Sequence, residues 1–186
     1  MGDSQTGPDY RLRRTIVLVG MMGSGKTAIG KALAARLAVP FLDSDAAIEE
    51  AAALTISEIF DRDGERFFRK REAEIIDRLL GEPPCILSTG GGAFLTEGVR
   101  DAIADKAVAL WLDADVDILW ERVKHKDTRP LLRTSDPRKT LVDIFEARVP
   151  VYAKAGLRTV ITAESTIEQT TDRVCLLYTS PSPRDA

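Results

Sequence analysis

The sequence predicts an α/β protein in which helices cover both faces of a parallel sheet. Short apolar runs alternate along the chain with segments whose apolar residues recur at helical spacing, which is the pattern of consecutive βαβ units. A glycine-rich turn separates the first apolar run from the first helical segment, as expected where a helix N-terminus binds an anion. The 186 residues are 44% hydrophobic and 30% charged, which suits a single domain with an ordinary core.

Five apolar runs are interpreted as strands. The first run, 16–19, is continuous and partly β-branched and ends at Gly20, as expected for a strand that is buried on both faces. The run 107–112 is the next clearest, and the other three are shorter. The expected strands span residues 16–19, 40–42, 85–88, 107–112 and 159–162.

Segments with helical periodicity separate these strands. The region 46–80 is expected to be helical with a break near Gly64, and Asp115 is expected to cap the helix that follows the fourth strand. The expected helices cover residues 26–37, 46–80, 97–104, 116–124 and 139–155, and a last helix starts at Ser165 or Thr166.

The composition disfavours several classes of protein. The net charge is −3, with two cysteines and one histidine, which argues against a general nucleic-acid binder, a disulfide framework and a cysteine-built or histidine-rich metal site. No apolar stretch approaches the length of a transmembrane helix. Residues 1–14, interpreted as a disordered extension, lack the apolar core of a signal peptide. We expect a cytoplasmic monomer without membrane or nucleic-acid partners.

Residues 20–27, Gly-Met-Met-Gly-Ser-Gly-Lys-Thr, match the phosphate-binding pattern G-x-x-x-x-G-K-[ST], the P-loop. Glycines allow backbone N–H groups to face the phosphates, and the following helix directs its positive end at the anion. The pattern assigns Lys26 to the β- and γ-phosphates and the Thr27 hydroxyl to Mg²⁺. The chain is therefore expected to bind a nucleoside triphosphate, with a plain glycine turn as the alternative.

The P-loop alone does not choose among GTPases, motors, transport ATPases and small-molecule kinases. The chain lacks an N-K-x-D guanine-reading motif and a long apolar run ending in an Asp-Glu pair, so a compact kinase fits best. A mobile lid is predicted at 122–138, where basic residues outnumber acidic ones. Such a lid can place arginines over ATP. Arg129, stiffened by Pro130, is its predicted working residue, and a solvated loop is the alternative.

Two carboxylates, Asp43 and Asp45, follow the second expected strand and should lie beside the P-loop. One can hold Mg²⁺, and the other can accept a hydrogen bond or a proton from a substrate hydroxyl. A solvated helix N-cap is the alternative for Ser44 or Asp45 alone.

Three further features carry weaker evidence. Arg69 and Glu72 share a helix face, either as a solvated pair or as a clamp for an anionic substrate. The glycines at 90–92 follow a strand, which favours close approach of a ligand over a flexible turn. Arg148, in the helix after the lid, could face the same edge of the sheet.

The chain resembles the shikimate kinase family from about residue 16 to residue 173. The resemblance rests on the order of the motifs described above, together with Arg129-Pro-Leu-Leu and Arg148-x-Pro-x-Tyr152. Each motif after the P-loop is weak, but the ordered set is highly specific. The resemblance implies a P-loop kinase fold with sheet order 2-3-1-4-5. It also implies transfer of the γ-phosphoryl group of ATP to the 3-hydroxyl of shikimate, on the route to chorismate and the aromatic amino acids.

The resemblance further implies a role for each site residue. ATP would contact Gly23, Ser24, Gly25, Lys26, Thr27, Ala28, Arg122 and Arg129. Mg²⁺ would bind to Thr27 and Asp43. Shikimate would contact Asp45, Arg69, Gly90, Gly91, Gly92 and Arg148, with the two arginines on its carboxylate and Glu72 orienting Arg69. Catalysis would depend on Lys26, Asp45 and Arg129, with Asp45 orienting or deprotonating the attacking hydroxyl.

One departure and two alternatives accompany the resemblance. The family often has a basic residue in the loop after the last strand, where this chain has Ala-Glu-Ser at 163–165. The resemblance therefore assigns no adenine-contacting side chain there, although the backbone can make such contacts. A kinase of another small polyol, such as gluconate, would share the P-loop and lid. A non-catalytic nucleotide-binding module would keep Lys26 but need neither Arg129 nor Asp45.

The end of the chain is interpreted separately from the domain, 15–174. Residues 175–186 have no helical period and contain a Ser-Pro repeat. They resemble the translation of a sequencing adapter, so the last helix is expected to break at Cys175. An ordinary disordered C-terminus is the alternative.

Overall fold

The computed structural model describes residues 12–125 and 130–179, in which helices flank one sheet of five strands. The strands are β1 (Thr15–Val19), β2 (Phe41–Asp43), β3 (Ile86–Ser88), β4 (Ala107–Ala114) and β5 (Leu157–Ile161). The helices are α1 (Lys26–Leu37), α2 (Ser44–Ala52), α3 (Ile56–Leu80), α4 (Glu97–Lys106), α5 (Val116–Val123), α6 (Pro137–Tyr152) and α7 (Ile167–Thr179). Within the described ranges, no helix is long and apolar enough to cross a membrane.

The sheet has the order β2-β3-β1-β4-β5, and all neighbouring strands are parallel. Ile16 of the central strand β1 pairs with Ile86 of β3 and with Val108 of β4. All residues of β1 are buried, which explains its continuous apolar run. The predicted fold class, strand number and strand order are confirmed. The carboxyl ends of β2, β3 and β1 lie side by side, and this edge carries the site.

Two groups of apolar side chains stabilise the fold. The larger group surrounds the sheet and includes β1 and the last turns of α3 around Ile76. The smaller group lies between α2 and α3 and is built on Ile48, Ile59 and Phe68. The α2–α3 pair therefore has a core of its own, while the end of α3 anchors it to the sheet.

The predicted helical region 46–80 is divided twice. Gly64 interrupts α3 with φ 80° and ψ 171°, a conformation nearly restricted to glycine, so the predicted break is confirmed. An earlier break separates α2 from α3, where Thr55 and Glu58 form a reciprocal capping box. The sequence analysis missed this second break because its boundary residue, Ala53, reaches a left-handed φ of 51° without being glycine.

The predicted break of the last helix at Cys175 is wrong, because α7 continues through Thr179. Val174 and Cys175 are buried, and the Tyr178 hydroxyl accepts backbone N–H groups of residues 13 and 14 at 2.9 and 3.2 Å. The spacing 174, 175, 178 is that of one helix face, which the sequence analysis overlooked. Residues 1–11 and 180–186 lie outside the described residues, and the adapter origin of the tail stays a prediction.

Candidate active site

A cleft of about 560 Å³ opens at the carboxyl ends of β1, β2 and β3, the edge where parallel α/β sheets bind ligands. Its wall is completed by the end of β5 and the start of α7. The predicted site residues that line the cleft are Gly23, Gly25, Lys26, Thr27, Ala28, Asp43, Asp45, Gly90, Gly91 and Arg122. Segments far apart in the chain thus share one cavity.

The P-loop connects β1 to α1. Gly25 has a φ of 98° directly before Lys26, the first residue of α1, and this left-handed conformation favours glycine. No side chain caps this end of α1, so its first N–H groups and the positive end of its dipole are available to an anion. Lys26 Nζ donates hydrogen bonds to the carbonyls of Gly20 and Met21 at 2.8 and 3.0 Å. The loop therefore holds its lysine over the phosphate-binding backbone.

Asp43 and Asp45 occupy different electrostatic environments at the end of β2. Asp43 is the N-cap of α2, and its Oδ1 accepts the N–H groups of Asp45 and Ala46 at 2.9 and 3.2 Å. The capping role that was considered for Asp45 thus belongs to Asp43. Burial, followed by the neighbouring Asp43 charge, raises the pKa of Asp45 to about 6, against the opposing effect of Lys26. Asp45 can therefore exchange a proton near neutral pH.

Arg69 and Glu72 form a half-buried ion pair on α3. Arg69 Nη1 lies 2.6 Å from Glu72 Oε2, and the Glu72 side chain is only 1% exposed. The other oxygen, Glu72 Oε1, has no hydrogen-bond partner among the described residues. Burial raises the pKa of Glu72, and the adjacent Arg69 guanidinium opposes that shift. A solvated surface pair is therefore excluded, because the glutamate is enclosed by the protein.

The glycines at 90–92 lie where the other segments of the site converge. A Cβ on Gly90 would lie 2.8 Å from Asp45 Oδ1, and a Cβ on Gly91 would lie 3.0 Å from Arg148 Nη1. A Cβ on Gly92 would overlap the Arg69 guanidinium. The absence of a Cβ thus lets the charged end of a side chain approach the backbone at each of these positions. Arg148, which the sequence placed only weakly, is brought to the same point by α6.

Of the basic residues in the predicted lid, some lie in the cleft and others pair with acidic side chains outside it. Arg122, at the end of α5, donates from Nη1 to the Gly23 carbonyl at 3.1 Å and lines the cleft. Lys124 and Arg138 instead form ion pairs with acidic residues of α5 and do not line the cleft. Arg129 lies outside the described residues. Ser24 is buried and does not line the cleft; its N–H donates to the Met21 carbonyl at 3.2 Å, and its Oγ has no hydrogen-bond partner in the described part of the chain.

Two parts of the site were expected from the sequence only incompletely. Tyr152 was noted within a motif but given no role; at the end of α6 it donates its hydroxyl to the Gly91 carbonyl at 2.5 Å, a contact that no local pattern indicates. The loop after the last strand was expected near the adenine, and its Ser165 lines the cleft, but Thr166, Ile167 and Thr170 line it as well. The rule that ligands bind beyond the ends of parallel strands would have pointed to them, because they follow β5 directly.

The P-loop and a carboxylate of raised pKa line one cleft, and two arginines that do not line it, Arg69 and Arg148, approach the glycine turn at its edge. This arrangement suits a nucleotide at the P-loop and a small anionic acceptor beside it. Together with the five-stranded sheet, these adjacent sites define a P-loop kinase of small molecules.

Comparisons with known proteins specify the kinase further. The shikimate kinase family model matches residues 22–177. A shikimate kinase of Ruegeria pomeroyi is 61% identical over 163 residues, which cover 88% of this chain and 84% of the relative. The structure of a shikimate kinase from Acinetobacter baumannii in complex with shikimate has a TM-score of 0.84 and 33% identity, covering 90% of this chain and 93% of that chain. The chain belongs to the shikimate kinase family.

A more distant structure bears on the alternative of another polyol kinase. A gluconokinase from Sinorhizobium meliloti has a TM-score of 0.54 and 18% identity, covering 92% of this chain and 100% of that one. At this level the likeness extends to the fold alone. The comparisons therefore favour the shikimate kinase family over the gluconate alternative.

Proposed function

We propose that this cleft carries out the reaction of its family, the transfer of the γ-phosphoryl group of ATP to the 3-hydroxyl of shikimate, with the residues assigned below. The chain is an ATP-dependent phosphotransferase. The observation that carries the assignment is the convergence of Asp45, Arg69 and Arg148 on the glycines at 90–92, because it builds an acceptor pocket of shikimate's chemistry beside the P-loop.

The two arginines bind the carboxylate of the acceptor. Arg69 approaches Gly92 from α3, and Arg148 approaches Gly91 from α6, so the guanidinium groups come from separate elements. Planar guanidinium groups suit bidentate recognition of a carboxylate. Buried Glu72 holds Arg69 in place through its 2.6 Å contact. The backbone of Gly91 contacts the ring hydroxyls.

Asp45 binds the hydroxyl group of the acceptor that attacks the γ-phosphate. With a pKa raised to about 6 by burial and by Asp43, most of the carboxylate is ionised above neutral pH and can orient the hydroxyl or take its proton. The positive charge of Lys26 lowers the pKa of Asp45, so the two side chains are close enough to interact. A hydroxyl that is bound by Asp45 therefore lies between this carboxylate and the P-loop.

Phosphoryl transfer depends on cations that neutralise the charge of the phosphate oxygens. The backbone of 23–28 and the Lys26 ammonium serve this purpose on one side of the cleft. Arg129, from the lid, adds charge from the other side and helps to exclude water. Arg122 packs on the P-loop through Gly23 and lies beside the adenine.

Thr27 and Asp43 are the residues that would hold Mg²⁺. Both line the cleft, and oxygen donors of this kind suit a hard cation. No group of three or more potential metal-binding side chains occurs in the described residues, which fits Mg²⁺ that is bound mainly by phosphates and water. When bound, the ion would neutralise charge on the β- and γ-phosphate oxygens.

We further propose that the protein is a cytoplasmic monomer.

A coupled assay of ADP release tests the proposal. The protein is incubated with ATP and Mg²⁺ and, in separate reactions, with shikimate, gluconate or no acceptor. Release that depends on shikimate alone is the expected result. Turnover of gluconate without turnover of shikimate would support the polyol alternative. ATP binding without ADP release at saturating shikimate would support a non-catalytic module.

A further inference from the structure

Tyr152 is a buried side chain next to the acceptor pocket to which the proposed chemistry gives no part. It is 1% exposed and is the last residue of α6. Its hydroxyl donates to the Gly91 carbonyl at 2.5 Å, and its ring centroid lies 6.4 Å from that of Trp111 in β4. The side chain therefore connects the lid-side helix, the sheet and the glycine turn.

Arg148 lies one helical turn before Tyr152 in α6, on the same face of the helix. Its Nη1 is 3.0 Å from the position that a Cβ on Gly91 would occupy, and the Tyr152 hydroxyl is 3.6 Å from that position. Arg148 and Tyr152 thus flank the same glycine. Because both side chains belong to α6, the hydrogen bond from Tyr152 to Gly91 also sets the distance between Arg148 and Gly91.

The glycine turn, residues 90–92, has no side chains of its own, so its conformation depends on hydrogen bonds of its backbone. The carbonyls of Gly90 and Gly92 accept backbone N–H groups of Ala93 and Leu95 at 3.1 Å each, whereas the Gly91 carbonyl accepts the Tyr152 hydroxyl. Glycine backbone has the largest conformational freedom of any residue. A hydrogen bond from a buried, ring-packed phenol is a strong constraint on such a peptide group.

We propose that Tyr152 is a positioning residue, whose hydroxyl fixes the Gly91 peptide at a set distance from Arg148 and thereby determines the affinity for the acceptor. The part of this inference that concerns the acceptor rests on the proposed function. The fixing of the turn by itself does not, because the hydrogen bond exists whatever substrate the cleft accepts.

The test compares Tyr152→Phe with a matched control, Tyr178→Phe. Both changes remove one buried or half-buried phenol hydroxyl that hydrogen-bonds to backbone. The Tyr178 hydroxyl, however, contacts residues 13 and 14, which precede β1 and so lie at the end of this strand away from the cleft. For Tyr152→Phe we expect the shikimate KM to rise about fivefold to tenfold, the ATP KM to stay within about twofold and kcat to change less than KM. Tyr178→Phe should leave both KM values unchanged.

A second measurement does not require turnover. Amide hydrogen exchange in the segment 88–95 should become faster in Tyr152→Phe and stay at the wild-type rate in Tyr178→Phe. An unchanged exchange rate in that segment, or an unchanged shikimate KM in Tyr152→Phe, would overturn the inference. If the wild-type protein releases no ADP with shikimate, the proposed function fails, and the exchange rates alone decide whether Tyr152 fixes the turn.

Discussion

The proposed nucleotide side and the proposed acceptor side of the cleft are built in different ways. The proposed nucleotide side is a contiguous segment, residues 20–28, made of one turn and one helix N-terminus. The proposed acceptor side is assembled from the three glycines of the turn after β3 and from one or two residues each of α2, α3 and α6. The first is a local structure, whereas the second depends on the packing of the whole domain.

This difference determines how each side responds to substitution. Changes on the nucleotide side act on charges that face the migrating phosphoryl group, so they should lower kcat. Changes on the acceptor side act mainly on groups that contact shikimate similarly before and during reaction, so they should raise its KM. Asp45, which faces both sides, should show effects on rate and on stability.

The largest effect is expected for Lys26→Ala. It removes the ammonium that neutralises the phosphate oxygens, so kcat should fall by roughly 10²-fold to 10³-fold or more, as for other losses of transition-state charge stabilisation. Lys31→Ala, on the exposed face of the same helix, is the matched control and should stay near wild type. Wild-type turnover in Lys26→Ala would contradict the assigned role.

Asp45→Asn should also lower kcat, by roughly 10²-fold, because it removes the group that accepts the hydroxyl proton. In the wild-type protein, kcat/KM for shikimate should fall as the pH drops through about 6, because this ratio follows the protonation of Asp45 in the free enzyme. Initial rates between pH 5 and pH 8.5, within the range where the fold is intact, measure both effects. A flat profile through pH 6 would argue against Asp45 as the base.

The same substitution should make the protein more stable. Because the pKa of Asp45 is raised in the folded state, the carboxylate is easier to ionise in the unfolded chain, and stability falls as the pH rises from about 4 to about 6. Asp45→Asn avoids this penalty and should add about 1 to 2 kcal/mol to the free energy of unfolding at pH 8. Urea unfolding at pH 8, with Asp101→Asn on the surface as the control, measures the gain, and a loss of stability would contradict it.

Arg148→Ala should act mainly on binding. Losing a charged hydrogen-bonding partner of the carboxylate should raise the shikimate KM about 10-fold to 100-fold, with a smaller change in kcat. Arg158→Ala, which breaks a surface ion pair with Asp113, provides an arginine control. An equal fall in kcat and in kcat/KM for Arg148→Ala would place Arg148 on the nucleotide side instead.

The smallest effect is expected for Arg138→Ala. Arg138 forms an exposed ion pair with Asp117, and such pairs contribute about 0 to 1 kcal/mol, so kcat and both KM values should stay within about twofold. Arg129→Ala, in the same predicted lid, should instead lower kcat by orders of magnitude. Equal losses in the two variants would contradict a lid with a single working arginine.

The sequence was most informative where structure is local. The P-loop, the apolar run of β1 and the break at Gly64 each follow from a few adjacent residues, and the structure bears out their placement. The ending of α7 was misjudged because the apolar spacing of Val174, Cys175 and Tyr178 was given less weight than the Ser-Pro repeat beyond it.

From the residues alone, the acceptor side could be anticipated only as separate features, which the family resemblance then grouped. Arg69 had a solvated surface pair as its alternative, Arg148 was weak from spacing alone, and nothing local showed that both approach the same turn. Their convergence on Gly91 and Gly92 depends on how α3 and α6 pack against the end of β3. Tyr152 illustrates the same point, because its partner, the Gly91 carbonyl, lies 61 positions away in the chain.

By itself, the amino-acid sequence determined the parallel sheet, the phosphate-binding loop and the list of charged residues, since periodicity and short motifs depend on neighbours in the chain. Only the tertiary structure decided that Glu72 is buried, that the pKa of Asp45 is raised to about 6, and that the Tyr152 hydroxyl donates to the Gly91 carbonyl. Burial and long-range hydrogen bonds arise when distant segments exclude water together, which no single segment encodes.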